Sequence, residues 1–414
     1  MNISTTSTTY SDKPAGRAIN ATKQSKRAAF STRTKALCLS LLAAGLVAAC
    51  GGGGGGTTTK TTATTTPPAP VLSQGLWIAN GTNVLEFIPS QLSGGMSAAV
   101  PHLMNNSSVF GAPQGVSFDT AGDLWVMDAG TPATPAVPAT ASMPAVPAVA
   151  AKPPALYMFT AAQLAALGQN PMPMPTVTIT GTNLNTPQQA VFDQQGDLWV
   201  ADHGTNAVFV YSAQQLIMGG NITPDVTITS SNPFNGALGI VFDKAGDLWV
   251  ANNGNNDGTT LFRFNAANLP KVGATVSVTL TPDVVLTNNN NSIQGPWALA
   301  FDANGNLWSS NAGAPFTLVE FAQANLGVSG APAPAITISP TMVGGIASLN
   351  APNGLCFDTP GDLAAADSAG AFGVPFYKPD QLLASGATVP NTFLAGTATT
   401  LNAPAGCNFG PLVN

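Results

Sequence analysis

The chain has 414 residues, room for one large domain or two ordinary ones; only 8% are charged, while Gly (43) and Pro (34) abound. This apolar, patterned composition argues against a disordered chain or a helical bundle and suits an all-β protein rich in turns. Seven of the 13 basic residues precede Cys50, so the rest keeps six basic residues against eighteen acids, a formal charge of −12 with no Lys/Arg stripe, which argues against nucleic acid as a partner.

Residues 36–49, ALCLSLLAAGLVAA, form an apolar run behind a basic stretch. Fourteen residues are too few to span a bilayer comfortably and match the core of an export signal. The run ends in Val47-Ala48-Ala49-Cys50, which resembles the bacterial lipobox. The expectation is a signal peptide over 1–49 and a diacylglycerol on Cys50; an ordinary secretory signal or an uncleaved helix is the alternative. Residues 50–74 then read as the lipidated Cys and a Gly/Thr/Pro tether, whose low-complexity part has a root-mean-square reach of about 25 Å. Stable anchoring by several acyl chains places the chain in a bacterial envelope, with the outer membrane as the expected address because Gly51, not Asp, follows Cys50.

From residue 75 onward the chain repeats itself. Five segments share one motif: GVSFDTAGDLWVMD (115–128), AVFDQQGDLWVAD (190–202), GIVFDKAGDLWVAN (239–252), ALAFDANGNLWSSN (298–311) and GLCFDTPGDLAAAD (354–367). An aromatic strand follows each, then a turn ending in Gln-Leu or Asn-Leu, as in YSAQQL at 211 and FNAANL at 264, and then a short β-branched run such as VTIT at 177–180. Four short strands per unit is the pattern of a propeller blade. In FDxxG[D/N]L the Asp is placed to accept turn amides and the Gly to take a positive φ. Trp125, Trp199, Trp249 and Trp308 fall on second strands, where an indole fills the space between blades.

The two ends complement one another. Residues 75–88, GLWIANGTNVLEFI, supply a second strand without a first, and LNAPAGCNFG (401–410) supplies a first strand and stops. First strands and second strands each number six, so the expected fold is an all-β, six-bladed β-propeller over 75–414, closed by the C-terminal strand on the N-terminal partial blade. Blade two carries an Ala/Pro-rich insertion at 130–155, read as a mobile loop of polyproline character.

The phrase FDKAGDLWVANNGNN (242–256) resembles the NHL repeat, and the resemblance spans nearly all of 75–414. It implies a TolB-like six-bladed fold and little about activity, since this scaffold carries binders, lactonases and lyases alike. Where NHL repeats commonly place an Arg after the Asn pair, this chain has Val84, Val208 and Leu261 or their neighbours, so RNA-binding members are a poor analogy. Gluconolactonase-like relatives hold a divalent metal with acidic and amide residues pointing into the channel. Here the residues preceding the first-strand Phe are Ser117, Val191, Val241, Ala300, Cys356 and Asn408, none charged, and Glu86 and Glu320 fall on third strands. A streptogramin-lyase-like reaction would need a His base near a metal, and His203 is the candidate.

Second strands end in Asn80, Asp128, Asp202, Asn252, Asn311 and Asp367. Under sixfold closure these form a ring at one channel mouth suited to a cation or a sugar, or else they are simply turn residues. His203 and Trp297 break the repeat on the same face and join Asp128, Asp202, Asn252, Asn311 and Asp367 as candidate ligand contacts. His102 reads as a surface residue on an outer strand, and Glu320 as a partner for Arg263 one blade back. Cys356 and Cys407 sit one position out of register on first strands of adjacent blades and are either a disulfide or two separate small thiols. The expected function is a lipid-anchored binding module for a protein or carbohydrate ligand, with no cofactor beyond a possible divalent cation. The alternative is a metal-dependent hydrolase or lyase acting in the channel.

Overall fold

A computed structural model describes residues 74–139, 143–181, 183–254, 259–273, 275–370 and 372–412. The expected signal peptide, Cys50 and all of the tether except Gln74 lie outside them.

The described chain is a six-bladed β-propeller. Blade one takes its first strand from the C-terminus: Pro404–Pro411 pairs antiparallel with Gln74–Asn80, which continues to Asn83–Phe87 and His102–Met104. Blades two to five begin at Pro113–Phe118, Pro187–Phe192, Ala237–Phe242 and Pro296–Phe301. Blade six is built from Cys356–Phe357, Leu363–Ala364, Gly373–Tyr377 and Thr392–Ala395. Cys356 and Cys407 are joined as a disulfide, Cα atoms 6.0 Å apart, linking the first strand of blade six to the closing strand.

The repeated motif explains both the turns and the packing. In the first-to-second turn the Asp Oδ1 accepts the amides two and four residues on, at 2.9 and 3.0 Å for Asp193 and for Asp243. The glycine that follows takes φ +83° at Gly196 and +84° at Gly246. The other Asp oxygen accepts the indole N–H of the second-strand Trp, as from Trp199 at 2.9 Å and Trp249 at 3.2 Å. Each indole so held meets the first-strand Phe of the next blade edge to face: Trp125 with Phe192, Trp199 with Phe242, Trp249 with Phe301. Such pairs each add about 0.5–1.5 kcal/mol to the area they bury. Blade six lacks the Trp, and there Phe376 meets Phe409 of the closing strand.

A second circuit of contacts runs round the outside, where the sequence shows no common motif. The connection between third and fourth strands reaches back to the preceding blade and adds a parallel strand to its outer edge. Val276–Leu280 of blade four pairs with Val226–Ser230 of blade three, and shorter segments at Gly220–Asn221, Gly386–Ala387 and Gly95–Ser97 do the same for blades two, five and six. Covering an outer edge with the chain's own backbone blocks pairing with foreign strands.

The described part of the blade-two insertion, read from its composition as a loop of polyproline character, pairs with itself. Thr131 with Lys152, Thr134 with Val149 and Val137 with Val146 each exchange two backbone hydrogen bonds of 2.9–3.0 Å. Polyproline geometry repeats every three residues, so each third residue turns the same way. The intervening prolines have no N–H to leave unpaired. Lys152 Nζ closes the base on the Phe110 carbonyl at 2.6 Å and on that of Ser107.

Candidate functional site

The second strands of blades one to five end in Asn or Asp, in blade six Asp367 holds the matching place three residues past Ala364, and all six residues are at most 3% exposed. Buried, they bind the connection that enters their own blade and, in blades two, three and six, the turn that leaves the second strand. Asp128 accepts the amides of Gly111 (2.8 Å), Ala112 (3.0 Å) and Gly130 (2.6 Å). Asp202 accepts those of Asn185 and Thr205, each at 2.9 Å, and of Thr186 at 3.1 Å. Asp367 accepts the Asn350, Ala351 and Ala369 amides. Asn80, Asn252 and Asn311 accept from Asn402, Asn235 and Gln294 at 2.6, 2.6 and 3.0 Å. The oxygens of Asp128, Asp202, Asn252, Asn311 and Asp367 are thus engaged by backbone amides of the fold.

Burial pushes the Asp128 and Asp367 carboxyls above the usual value of 3.8, and the amide hydrogen bonds reverse part of that rise. Burial likewise raises Asp197, Asp358 and Glu320. A raised carboxyl keeps in the folded chain a proton that the unfolded chain releases, so stability falls as pH rises through the interval between the two values. The thermal midpoint is expected to fall as pH rises from the ordinary Asp value of 3.8 toward neutrality. Scanning calorimetry showing the midpoint climbing toward neutrality would contradict this.

Other candidates separate. His203 is exposed; its ring lies against the backbone of Gly236, where an added Cβ would come 3.1 Å from its Cδ2. Trp297 is half-buried at the irregular start of its strand. The expected Arg263–Glu320 pair is replaced by Arg263 with Asp247, Nε to Oδ2 3.7 Å, the guanidinium lying over the Trp249 ring. Glu86 is fully buried on a third strand, and its Oε2 is 2.8 Å from Nδ1 of His102, whose side chain is 41% exposed.

Along the axis, glycines let the first strands crowd together. A Cβ on Gly239 would lie 2.4 Å from the Trp297 carbonyl of the next blade, and one on Gly354 would lie 2.4 Å from that of Ala405. Blade three has Gln189 at this level, and its Nε2 crosses the axis to the Asn353 carbonyl of blade six at 3.2 Å. Beneath this neck lies a cavity of about 240 Å³, lined by all six residues that precede the first-strand aromatic, from Ser117 to Asn408. Its donors are neutral amides, a hydroxyl and backbone groups. They do not fit a divalent cation, which needs carboxylates to balance its charge, and they include no acid–base pair.

Neutral polar surface gathers on the mouth face above blades four and five. One pocket of about 590 Å³ is lined by Asn253, Thr259, Thr260, Thr287, Asn288 and Gln294, with Gly254 and Gly295. On the other side of the same connection, a second of about 310 Å³ is lined by Asn289, Asn290, Asn291 and Ser292 with Thr317 and Thr337. Asn290 and Asn291 take φ +49° and +65°, a conformation Asn tolerates. The signal available in the sequence was the run TNNNNS at 287–292, which departs from every other blade.

No family model matches this chain, and no curated protein does. Solved structures are similar to it. The periplasmic gluconolactonase of Pseudomonas aeruginosa is 14% identical with a TM-score of 0.50, over 82% of this chain and 99% of that one. A putative 6-phosphogluconolactonase of Bacteroides fragilis is 12% identical with a TM-score of 0.47, over 83% and 99%. Virginiamycin B lyase of Staphylococcus aureus is 13% identical with a TM-score of 0.35, over 67% and 75%. At 14% identity the likeness to the Pseudomonas protein is one of fold.

Proposed function

We propose that this propeller is a lipid-anchored binding module of the bacterial envelope that takes a neutral carbohydrate on the face above blades four and five. The observation that carries this reading is the pocket of about 590 Å³ lined by hydroxyls and carboxamides, with no ionisable side chain among the described residues that line it. Carboxamides both donate and accept, as the vicinal hydroxyls of a sugar require, and they set no charge preference. Anchoring rests on Val47-Ala48-Ala49-Cys50 and the tether behind it. A metal-dependent hydrolase or lyase finds less support, because the axial cavity has no carboxylate and no base.

The test uses the detergent-solubilised chain, labelled with palmitate in cells and compared with Cys50→Ser, on an array of neutral and acidic oligosaccharides. Neutral glycans should bind, and the double variant Asn253→Ala/Gln294→Ala should weaken them about tenfold or more, the loss of two hydrogen bonds. Binding confined to acidic glycans, or unchanged in the double variant, sinks the ligand assignment; label retained by Cys50→Ser sinks the anchor.

A further inference from the structure

On the opposite face, where first strands turn into second strands, a cavity of about 630 Å³ opens between blades three and four. Its apolar wall is Phe192, Trp199, Phe242 and Leu269. It exists because blade four breaks the repeat. In the other five blades the leucine ending the turn after the third strand (Leu92, Leu164, Leu216, Leu326 and Leu382) is 2–7% exposed. Leu269 is half-buried instead, in extended conformation at φ −70° and ψ 140°, with Pro270 next. In blades one, two, three and six a Gln clamps this turn to the following connection, as Gln215 Nε2 does on the Thr223 carbonyl at 2.8 Å. Blade four has the shorter Asn268, which turns to Asp283.

The charge at this cavity is equally irregular. The acidic residue before the second strand recurs in blades four and six with a cation beside it. Asp247 has Arg263, whose guanidinium stacks on Trp249 at 5.9 Å. Asp362 has Lys378, whose ammonium lies over Phe376 at 5.1 Å. Blade three keeps the acid, Asp197, and the ring, Trp199, but the residue matching Arg263 is Val210. Asp197 is 9% exposed, receives the Ala213 amide at 2.8 Å, and among the described residues no Lys or Arg forms an ion pair with it. Asp193 and Asp243 line the same cavity against a single Lys271. The carboxyl of Asp197 is raised, first by burial and then by Asp193 and Asp225, as expected where negative charge gathers without a counterion.

We infer that this cavity binds a small organic cation, a guanidinium or ammonium on a flat apolar body, with the charge at Asp197 and the body on Phe192, Trp199 and Phe242. The fold itself supplies that arrangement from within at Asp247 and Asp362; blade two, with Asp123 and Trp125, and blade three do not, and at blade three the open cavity leaves it to a ligand. The combination is an aromatic surface with a carboxylate beside it, the usual recognition of such cations.

Isothermal titration of the whole chain with benzylguanidinium, benzyl alcohol and phenylacetate tests it. The cation should bind about tenfold or more tightly than either other probe and weaken as salt is raised. Asp197→Asn, which keeps an acceptor for Ala213, should weaken it about fivefold or more, and Val210→Arg, which transplants the blade-four cation, should abolish it. If Val210→Arg does not fold, the probe series and Asp197→Asn decide. Equal binding of all three probes, no binding at about 10 mM, or indifference to Asp197→Asn overturns the assignment. Glycan binding on the other face is read separately, so failure here leaves that reading in place.

Discussion

Deletion of residues 404–414 is expected to leave the propeller without a cooperative unfolding transition. The segment is the first strand of blade one, in register with Gln74–Asn80 from Gln74 opposite Pro411 to Asn80 opposite Pro404. Its loss removes Phe409 from between Phe376 and the blade-one core, the carbonyl of Pro411 from Trp77 Nε1 (3.1 Å), and the half-disulfide Cys407. It also bares the inner edge of a buried strand and opens the circle of first strands, so both neighbouring blades lose a partner. Cys407→Ser separates the strand from the bond. Cysteines 51 residues apart contribute about 2–4 kcal/mol by restricting the unfolded chain, so that variant should stay folded with a lower midpoint. Near-ultraviolet circular dichroism during a thermal melt distinguishes the two. A truncated chain melting like the intact one would refute closure by the C-terminus.

Asp202→Ala should cost about 4 kcal/mol, a size reserved for broken buried networks. Asp202 is fully buried and its two oxygens receive three backbone amides and the Thr205 hydroxyl. Each amide left without a partner costs about 1–3 kcal/mol, partly relieved by water entering. Asp202→Asn retains one carbonyl acceptor and should cost roughly half as much. Denaturant midpoints of the three proteins measure this. A ligand-binding carboxylate would behave the other way, with stability intact and binding gone; an Asp202→Ala protein as stable as the parent would restore the ring of mouth ligands.

The candidate site was legible only in part. The Asx at each second-strand end is plain in the sequence, but whether its oxygens face the mouth or the fold depends on the path of the chain 16–17 residues upstream in blades two to six, and from the C-terminus in blade one. Three of the six are Asn and three Asp, a mixture that looks like tuned ligation. It is equally what backbone amides accept. His203 and Trp297 stood out by breaking the repeat, whereas the departures that shape cavities are smaller: Gln to Asn at 268 and four asparagines at 288–291.

By itself the sequence determined the number of blades, the Asp-Gly turns, the Trp between blades and the complementary ends. Each of these arises within one repeat or from counting repeats, and local hydrogen bonding and strand alternation decide them. Only the tertiary structure decided the outer circuit of parallel strands, the Gln189 plug across the axis, and which faces hold open cavities. Those depend on backbone from different blades meeting at a point, as Gln189 does with Asn353, 164 residues further along. No local pattern of residues encodes such a meeting; the closing of the circle does.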